Sequence, residues 1–379
     1  MSDSRRQQVL VVYPHLPHYR FGVFRELEDL TGYDMIFAAD VDSGAKGIAT
    51  IDFALLKTVD RLRNVRIGPA LWQRGLIKVF RKRRPDVVIF FGDASYLSTW
   101  WLAILARLRG LDVVFWTIGW HAPERGLKRR VRLLFYRLAH TLMLYGETGA
   151  EIGRSMGYPA KRMHIVGNSS LSSLRSTTPP QAQIEAFSDS LPPAGADVIG
   201  AVIRLNDVKR LEMIIAAAAK LRSNGSDTVV LLVGEGPFRE RLTSLSEDLE
   251  VPLYLPGAAY SDLELELAYK RLKVCVIPTV AGLTVLQSLS FGRPVVTHGD
   301  AYNQAPEFEA IEDGTNGGLY AYGDVDSLAR TIASWQKKVT DDPEGTAERC
   351  RRSLDGYWTP QGQARRISKI LDDTRGLSV

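Results

Sequence analysis

The sequence predicts an α/β protein made of two successive parallel-sheet domains. Three observations carry this. Short apolar runs alternate with stretches of helical period; the alternation lapses near residue 168 and restarts near 198; and 379 residues suffice for two domains of ordinary size. A content of 45% hydrophobic and 24% charged residues is ordinary for a globular chain.

In the first half, residues 8–13 (QVLVVY) read as a buried strand, 21–30 as the helix after it and 33–38 as a second strand. The runs 86–91 and 112–116 each follow a Pro or Gly and read as further strands. Helical patterns over 71–83, 96–109 and 127–140 alternate with them, and short strands at 141–145 and 164–166 complete this half. A Ser-, Thr- and Pro-rich stretch then suits a linker. Beyond it, strands are expected at 198–203, 228–233, 252–255, 274–278 and 294–297. Helices are expected at 208–223, 238–249 and 283–291, with a helical turn at 305–312 and a helical tail over 326–338 and 360–373. The expected organisation is a first domain over 1–168, a linker over 169–196, a second domain over 197–358, and a terminal helix over 359–379 packing back toward the first domain. Ligands of such folds bind at the carboxyl ends of the strands.

Charge and composition narrow the function classes. The net charge of +5 hides an asymmetry: residues 1–168 hold about 26 Lys and Arg against about 15 Asp and Glu, and the remainder is net acidic. Much of the positive charge lies in two stretches read as helical, 72–84 and 124–140. Both interleave Arg and Lys with apolar residues. Such faces suit anionic lipid headgroups, or are simply solvated. A nucleic-acid surface is disfavoured, because no DNA- or RNA-recognition motif accompanies the charge. The two cysteines, Cys275 and Cys350, are too few for a disulfide framework, and Cys275 in its apolar run reads as a buried thiol. The polar start over 1–8 predicts no signal peptide, and no apolar run approaches the ~20 residues that span a bilayer. The expectation is a cytoplasmic protein, at most peripheral to the inner face of the membrane.

Three segments of the second half carry chemistry. Arg204 and Lys209 flank a strand-to-helix loop, where backbone amides and basic side chains favour an anion. Residues 278–296 run strand, small-residue loop, helix and Gly-x-Pro turn. Gly282 would let the backbone approach a ligand, with the amides of Leu283 and Thr284 pointing outward. Glu307 follows Pro306 at the start of a short helical turn. By themselves these are also ordinary loop features.

Together, in the order Arg204…Lys209, Gly234-Glu235-Gly236-Pro237, the helix within 278–296, and Pro306-Glu307 with Asp313-Gly314, they resemble the nucleotide-sugar domain of the group 1 retaining glycosyltransferases, in particular a bacterial polysaccharide branch. The resemblance covers about 198–328. It implies the GT-B fold, two facing Rossmann-like domains with a cleft between them. It also implies that Arg204 and Lys209 hold the donor diphosphate, that Gly282, Leu283 and Thr284 meet the distal phosphate, and that Gly236, Leu255 and Gly257 lie along the donor, with residues 255–258 giving backbone contacts to the base. Gln287 stands where the family usually has a ribose-binding Glu, and Thr279 falls at the position of its other Glu, so the paired acids are absent. Glu307 would face the donor. The first domain would hold the acceptor, with His15, His18, Tyr19 and Arg20 after the first strand as binding candidates, and Asp93 and His121 as catalytic candidates at the ends of later strands. Ile118 occupies a position where the family often has His.

The activity so implied is transfer of a sugar from a nucleotide sugar to an acceptor hydroxyl of a glycan or lipid-linked glycan, with retention and without cofactor or metal. The basic groups and amides would stabilise the leaving diphosphate. The alternatives are a nucleotide-sugar epimerase or hydrolase, a weakly active sugar-nucleotide-binding protein, and transfer to a natural product or modified nucleic acid. A dinucleotide-dependent oxidoreductase is disfavoured: no Gly-x-Gly-x-x-Gly follows residues 8–13 or 198–203.

Overall fold

The computed structural model describes residues 5–42, 50–169 and 179–376. The chain divides into two compact units, Met1–Leu174 with Gly356–Val379, and Arg175–Asp355.

The first unit starts with β1 (Gln7–Val12), α1 (Phe21–Glu28) and β2 (Tyr33–Asp40). An antiparallel pair follows, β3 (Val59–Ile67) and β4 (Ala70–Arg74), and then α2 (Leu76–Arg83). Next come β5 (Val87–Phe91), α3 (Leu97–Leu108), β6 (Asp112–Thr117), α4 (Gly126–Tyr136), β7 (Thr141–Leu144), α5 (Glu147–Ser155) and β8 (Met163–Ile165). The sheet order is β4-β3-β2-β1-β5-β6-β7-β8, parallel except at β3–β4. The helix expected at 71–83 therefore starts late. Residues 70–74 are strand, Gly75 adopts φ 97°, a conformation glycine reaches without strain, and only then does α2 begin.

The second unit opens with α6 (Gln181–Asp189) and β9 (Val198–Val202). It continues through α7 (Glu212–Ser223), β10 (Val229–Val233), α8 (Arg239–Asp248), β11 (Leu253–Tyr254), α9 (Asp262–Arg271), β12 (Val274–Val276) and α10 (Thr284–Ser290). It closes with β13 (Val295–His298), β14 (Gly317–Tyr320), α11 (Val325–Asp341) and α12 (Pro343–Arg352). Its six parallel strands run in the order β11-β10-β9-β12-β13-β14. The strand order reverses direction between β9 and β12, the switch point at which such sheets bind ligands.

The stretch expected as a linker over 169–196 needs correction. Residues 170–178 lie outside the described ones, but α6 is a packed helix. It buries Ile184, and its Phe187 joins Leu231, Leu265 and Tyr269 in the core of the second unit. Polar residues on its outer positions hid it among Ser and Pro.

The last helix, α13 (Pro360–Gly376), belongs to the first unit and packs on α1. Ala364, Ile367, Ile370 and Leu371 complete the core under β1 and β2, and Tyr33 donates to Asp372 at 2.5 Å. Ile367 is fully buried. Ile367→Ala is expected to cost about 2–4 kcal/mol of stability, read by denaturant unfolding as an earlier transition of the first unit.

Candidate functional site

Crowding of backbone shapes the carboxyl edge of the second sheet. Beyond β9 and β10 the two chains stay paired: Ile203 N–H donates to Val233, Leu205 N–H to Glu235, and Phe238 N–H to Leu205. A Cβ on Gly234 would lie 1.9 Å from the Ile203 carbonyl oxygen, and one on Gly236 2.0 Å from that of Leu205. The two glycines of Gly-Glu-Gly are thus needed by the protein itself. On the neighbouring loop, the Leu255 carbonyl accepts from Arg239 at 2.6 Å and that of Gly257 accepts from the Gly234 amide at 2.8 Å. Two of the four carbonyls in the segment expected to contact a base, those of Leu255 and Gly257, are thus engaged internally.

Arg204 is exposed on the loop after β9. Lys209 ends the short 3₁₀ turn Asp207–Lys209, and Arg210 then turns through φ 47° before α7 begins. The helix expected from 208 thus starts four residues later, and Lys209 stands on a rigid turn ahead of it. Its ammonium donates to the Val280 carbonyl at 3.3 Å, and partial burial lowers its pKa. The Thr279 hydroxyl donates to Val208 at 3.0 Å. These bonds fasten the loop after β9 to the loop after β12, so Lys209 lies beside residues 279–281.

Gln304 holds that second loop from the other side. Its carboxamide oxygen accepts from the Ala281 amide at 2.7 Å, while its nitrogen donates to Thr297 at 3.0 Å and to the His298 carbonyl at 2.9 Å. Next along the chain, nothing lies within 4 Å of where a Cβ on Gly282 would be, so the backbone there borders open space. Leu283 is the residue before α10 and Thr284 its first, placing their amides in the turn that lacks helical acceptors. Glu307 is buried in the 3₁₀ turn Pro306–Ala310, which packs on α10.

The Gln287 side chain has an internal partner. Its carboxamide oxygen accepts from the Tyr269 hydroxyl at 3.2 Å, and that ring stacks on Phe291 at 4.8 Å. The side chain is tied to α9. Thr279 is likewise buried and committed. Both positions expected to carry acids are filled by residues that brace the domain.

In the first unit the expected acceptor residues divide. Arg20 is 6% exposed, and its guanidinium lies 4.6 Å from the Tyr145 ring centroid, 5.3 Å from Trp116 and 5.8 Å from Tyr13. It fills an aromatic nest at the ends of β1, β6 and β7. His15, His18 and Tyr19 remain half-buried near the end of β1. Burial lowers the His15 pKa, against an upward pull from Asp40. Asp93 is exposed after β5, but its carboxylate accepts from the Ser95 amide at 2.9 Å, closing a turn. His121 is exposed beyond β6, and partial desolvation with the Arg132 and Lys128 charges lowers its pKa, against an upward pull from Glu124. Ile118 packs against the core instead of presenting a polar group.

The bare Asp-x-Asp spacing, sometimes a metal motif, occurs twice, and both cases are local braces. Asp40 accepts from the Asn64 and Asp42 amides, Asp324 caps α11 through Ser327, and Asp326 pairs with Lys220. Among the described residues no group of three or more His, Cys, Asp or Glu could hold a metal ion, and no helix is long and apolar enough to cross a membrane.

Two Rossmann-like α/β domains of this topology define the GT-B class. The fold is shared by the Anabaena protein HepE, solved in complex with UDP: TM-score 0.70 at 17% identity, covering 97% of this chain and 100% of that one. Residues 196–337 match the family described as Glycosyl transferases group 1, so the second unit contains a group 1 glycosyltransferase domain. The chain is 26% identical over 190 residues to the glycosyltransferase WcaL of Escherichia coli, whose name assigns it to colanic acid biosynthesis, covering 47% of this chain and 46% of that one. It is 30% identical over 158 residues to the 2-deoxystreptamine glucosyltransferase of Streptomyces kanamyceticus, covering 40% and 38%. The match spans less than half the length of either relative.

Gln304 had no part in the sequence reading; a buried carboxamide joining three distant residues leaves no periodic trace. Gln304→Ala is expected to cost about 2–3 kcal/mol, because its backbone and hydroxyl partners stay buried with no replacement. Chemical denaturation would show this as a lower midpoint at unchanged slope.

Proposed function

We propose that the protein transfers a sugar from a nucleotide-diphosphate sugar to a hydroxyl of a glycan or lipid-linked glycan intermediate, with retention of configuration and without a metal. One observation carries the reading: in a group 1 glycosyltransferase domain, Lys209, Arg204 and the open backbone at Gly282 belong to two loops bonded to each other at the switch point of the sheet. A diphosphate suits that edge. Lys209 supplies a partly desolvated positive charge, Arg204 a fork for phosphate oxygens, and the α10 start its amides. A UDP-sugar is the first donor to try, since HepE has been solved with UDP-glucose.

In the proposed step the bond between the anomeric carbon and the diphosphate oxygen breaks as the acceptor oxygen bonds to the same face. The departing phosphate takes the acceptor proton, and the negative charge it gains is met by Arg204, Lys209 and the loop amides. Asp93 already closes its own turn, which favours this route over one needing it as a strong base. The basic helices of the first domain fit work at the inner face of a membrane.

A second reading has its own support. With Thr279 and Gln287 committed to internal bonds, the protein would bind donor yet turn it over weakly. Calorimetry with UDP-, GDP-, TDP- and ADP-sugars, followed by transfer assays on glycan and lipid-linked acceptors, separates the two. If no nucleotide sugar binds, both readings fall; binding without transfer selects the second.

Arg204→Ala and Lys209→Ala are each expected to weaken donor binding about 10–100-fold, and turnover is expected to persist in EDTA. Because the free Lys209 ammonium titrates below the ordinary lysine range, the form that pairs with diphosphate is lost at a correspondingly lower pH. Donor affinity should therefore fall as pH rises through that lowered range, and Lys209→Gln should remove the step.

A further inference from the structure

The outer face of α2, α3 and α4 plays no part in the donor or acceptor edges. Along α3, Leu97, Trp101, Ile104 and Leu108 follow at i, i+4, i+7 and i+11, and all are exposed, Leu108 by 80%. Along α4, Leu127, Val131 and Leu134 follow at i, i+4 and i+7, again exposed, Leu127 by 75%. The two helices are neighbours, since Trp100 and Phe135 meet at 4.9 Å between ring centroids. They bring two apolar stripes onto one face of the domain. A patch of this kind marks a contact surface.

Its charge is one-sided. None of α2, α3 and α4 contains an aspartate or glutamate. Lys128, Arg129 and Arg130 are exposed on α4, and Lys78, Arg81 and Lys82 on α2. Arg109, just past Leu108, lies 5.5 Å from the ring of Phe80 on α2. There a cavity of about 490 Å³ is lined by Arg81, Arg84, Arg109 and Asp86 with Phe80 and Leu111. Arg84 ends α2 in the left-handed conformation, φ 46°. The nearby acids are engaged: Glu124 with Arg132 and Lys128, Asp60 with Lys82 and Arg83, and Asp86 with the Gln8 amide.

We propose that this face docks the protein on an anionic phospholipid bilayer. The α3 and α4 stripes enter the acyl–headgroup boundary, and the Arg81–Arg84–Arg109 cavity takes a lipid phosphate. Apolar stripes beside cations fit that interface. A second copy of the chain would bring like charges together, and a nucleic acid would leave Ile104, Leu108, Leu127 and Leu134 without a partner. The proposal deepens the membrane-side part of the reading above and does not depend on donor chemistry.

Flotation of the full chain with vesicles tests it, using phosphatidylcholine alone and phosphatidylcholine with 30% phosphatidylglycerol. Wild type is expected to float with the anionic vesicles and stay largely unbound with the neutral ones. Ile104→Ser/Leu108→Ser/Leu134→Ser alters only exposed positions and should cut the floating fraction about tenfold. Arg81→Glu/Arg84→Glu should do the same and flatten the salt dependence. Calorimetry with UDP on every variant reports independently on the second domain, so failure of docking and failure of donor binding are told apart. The proposal is overturned if wild type ignores anionic vesicles at low salt, or if the serine variant floats like wild type. It is equally overturned if light scattering shows a dimer that the serine variant disperses, or if RNA binding is lost with the arginines while vesicle binding is absent.

Discussion

The site in the second domain depends on a single buried carboxamide. Gln304 offers one acceptor and two donors, and all three are used, on Ala281, Thr297 and the His298 carbonyl. From the other side Lys209 and Thr279 bond across to Val280 and Val208. The loop after β12 is therefore fixed at 279, 280 and 281, and the chain opens immediately after, at Gly282. A loop so fastened presents its amides in one arrangement before any ligand arrives, which is the condition for electrostatic preorganisation.

The two positions of the missing acids both carry internal bonds. Position 279 serves as a buried strut, and position 287 anchors α10 to α9 through Tyr269. A glutamate at 279 would break the bond to Val208 and bury a charge, whereas one at 287 would still accept from the Tyr269 hydroxyl. The loop is held by Gln304, and the 3₁₀ turn Pro306–Ala310, where Glu307 is buried, packs on α10.

Much of the fold was legible because parallel strands buried on both faces read as continuous apolar runs: DVVIFF, TVVLLV and their neighbours. What escaped had no such run. The pair β3 and β4 is polar and half-exposed, and the basic residues of 70–84 imitate a helix until Gly75 interrupts. α6 hides in a Ser- and Pro-rich context, and its burial is decided by partners in β10 and α9. In the site, Arg204, Lys209 and Gly282 could be placed from strand ends alone. Arg20 could not, because only the folded sheet brings Tyr13, Trp116 and Tyr145 around its guanidinium. The roles of Gln287 and Gln304 were illegible for the same reason: their bonds join residues that no local pattern relates.

The place of α13 bears on how the protein is made. Ile367, Ile370 and Leu371 cover apolar surface of β1, β2 and α1. Those strands are translated before the second domain and their covering helix after it. At ordinary elongation rates of roughly 5–20 residues per second, the exposed face of the first domain waits some tens of seconds for its closing helix. During that interval the second domain can mature, while the nascent first domain is a natural client for chaperones that shield bare β-sheet.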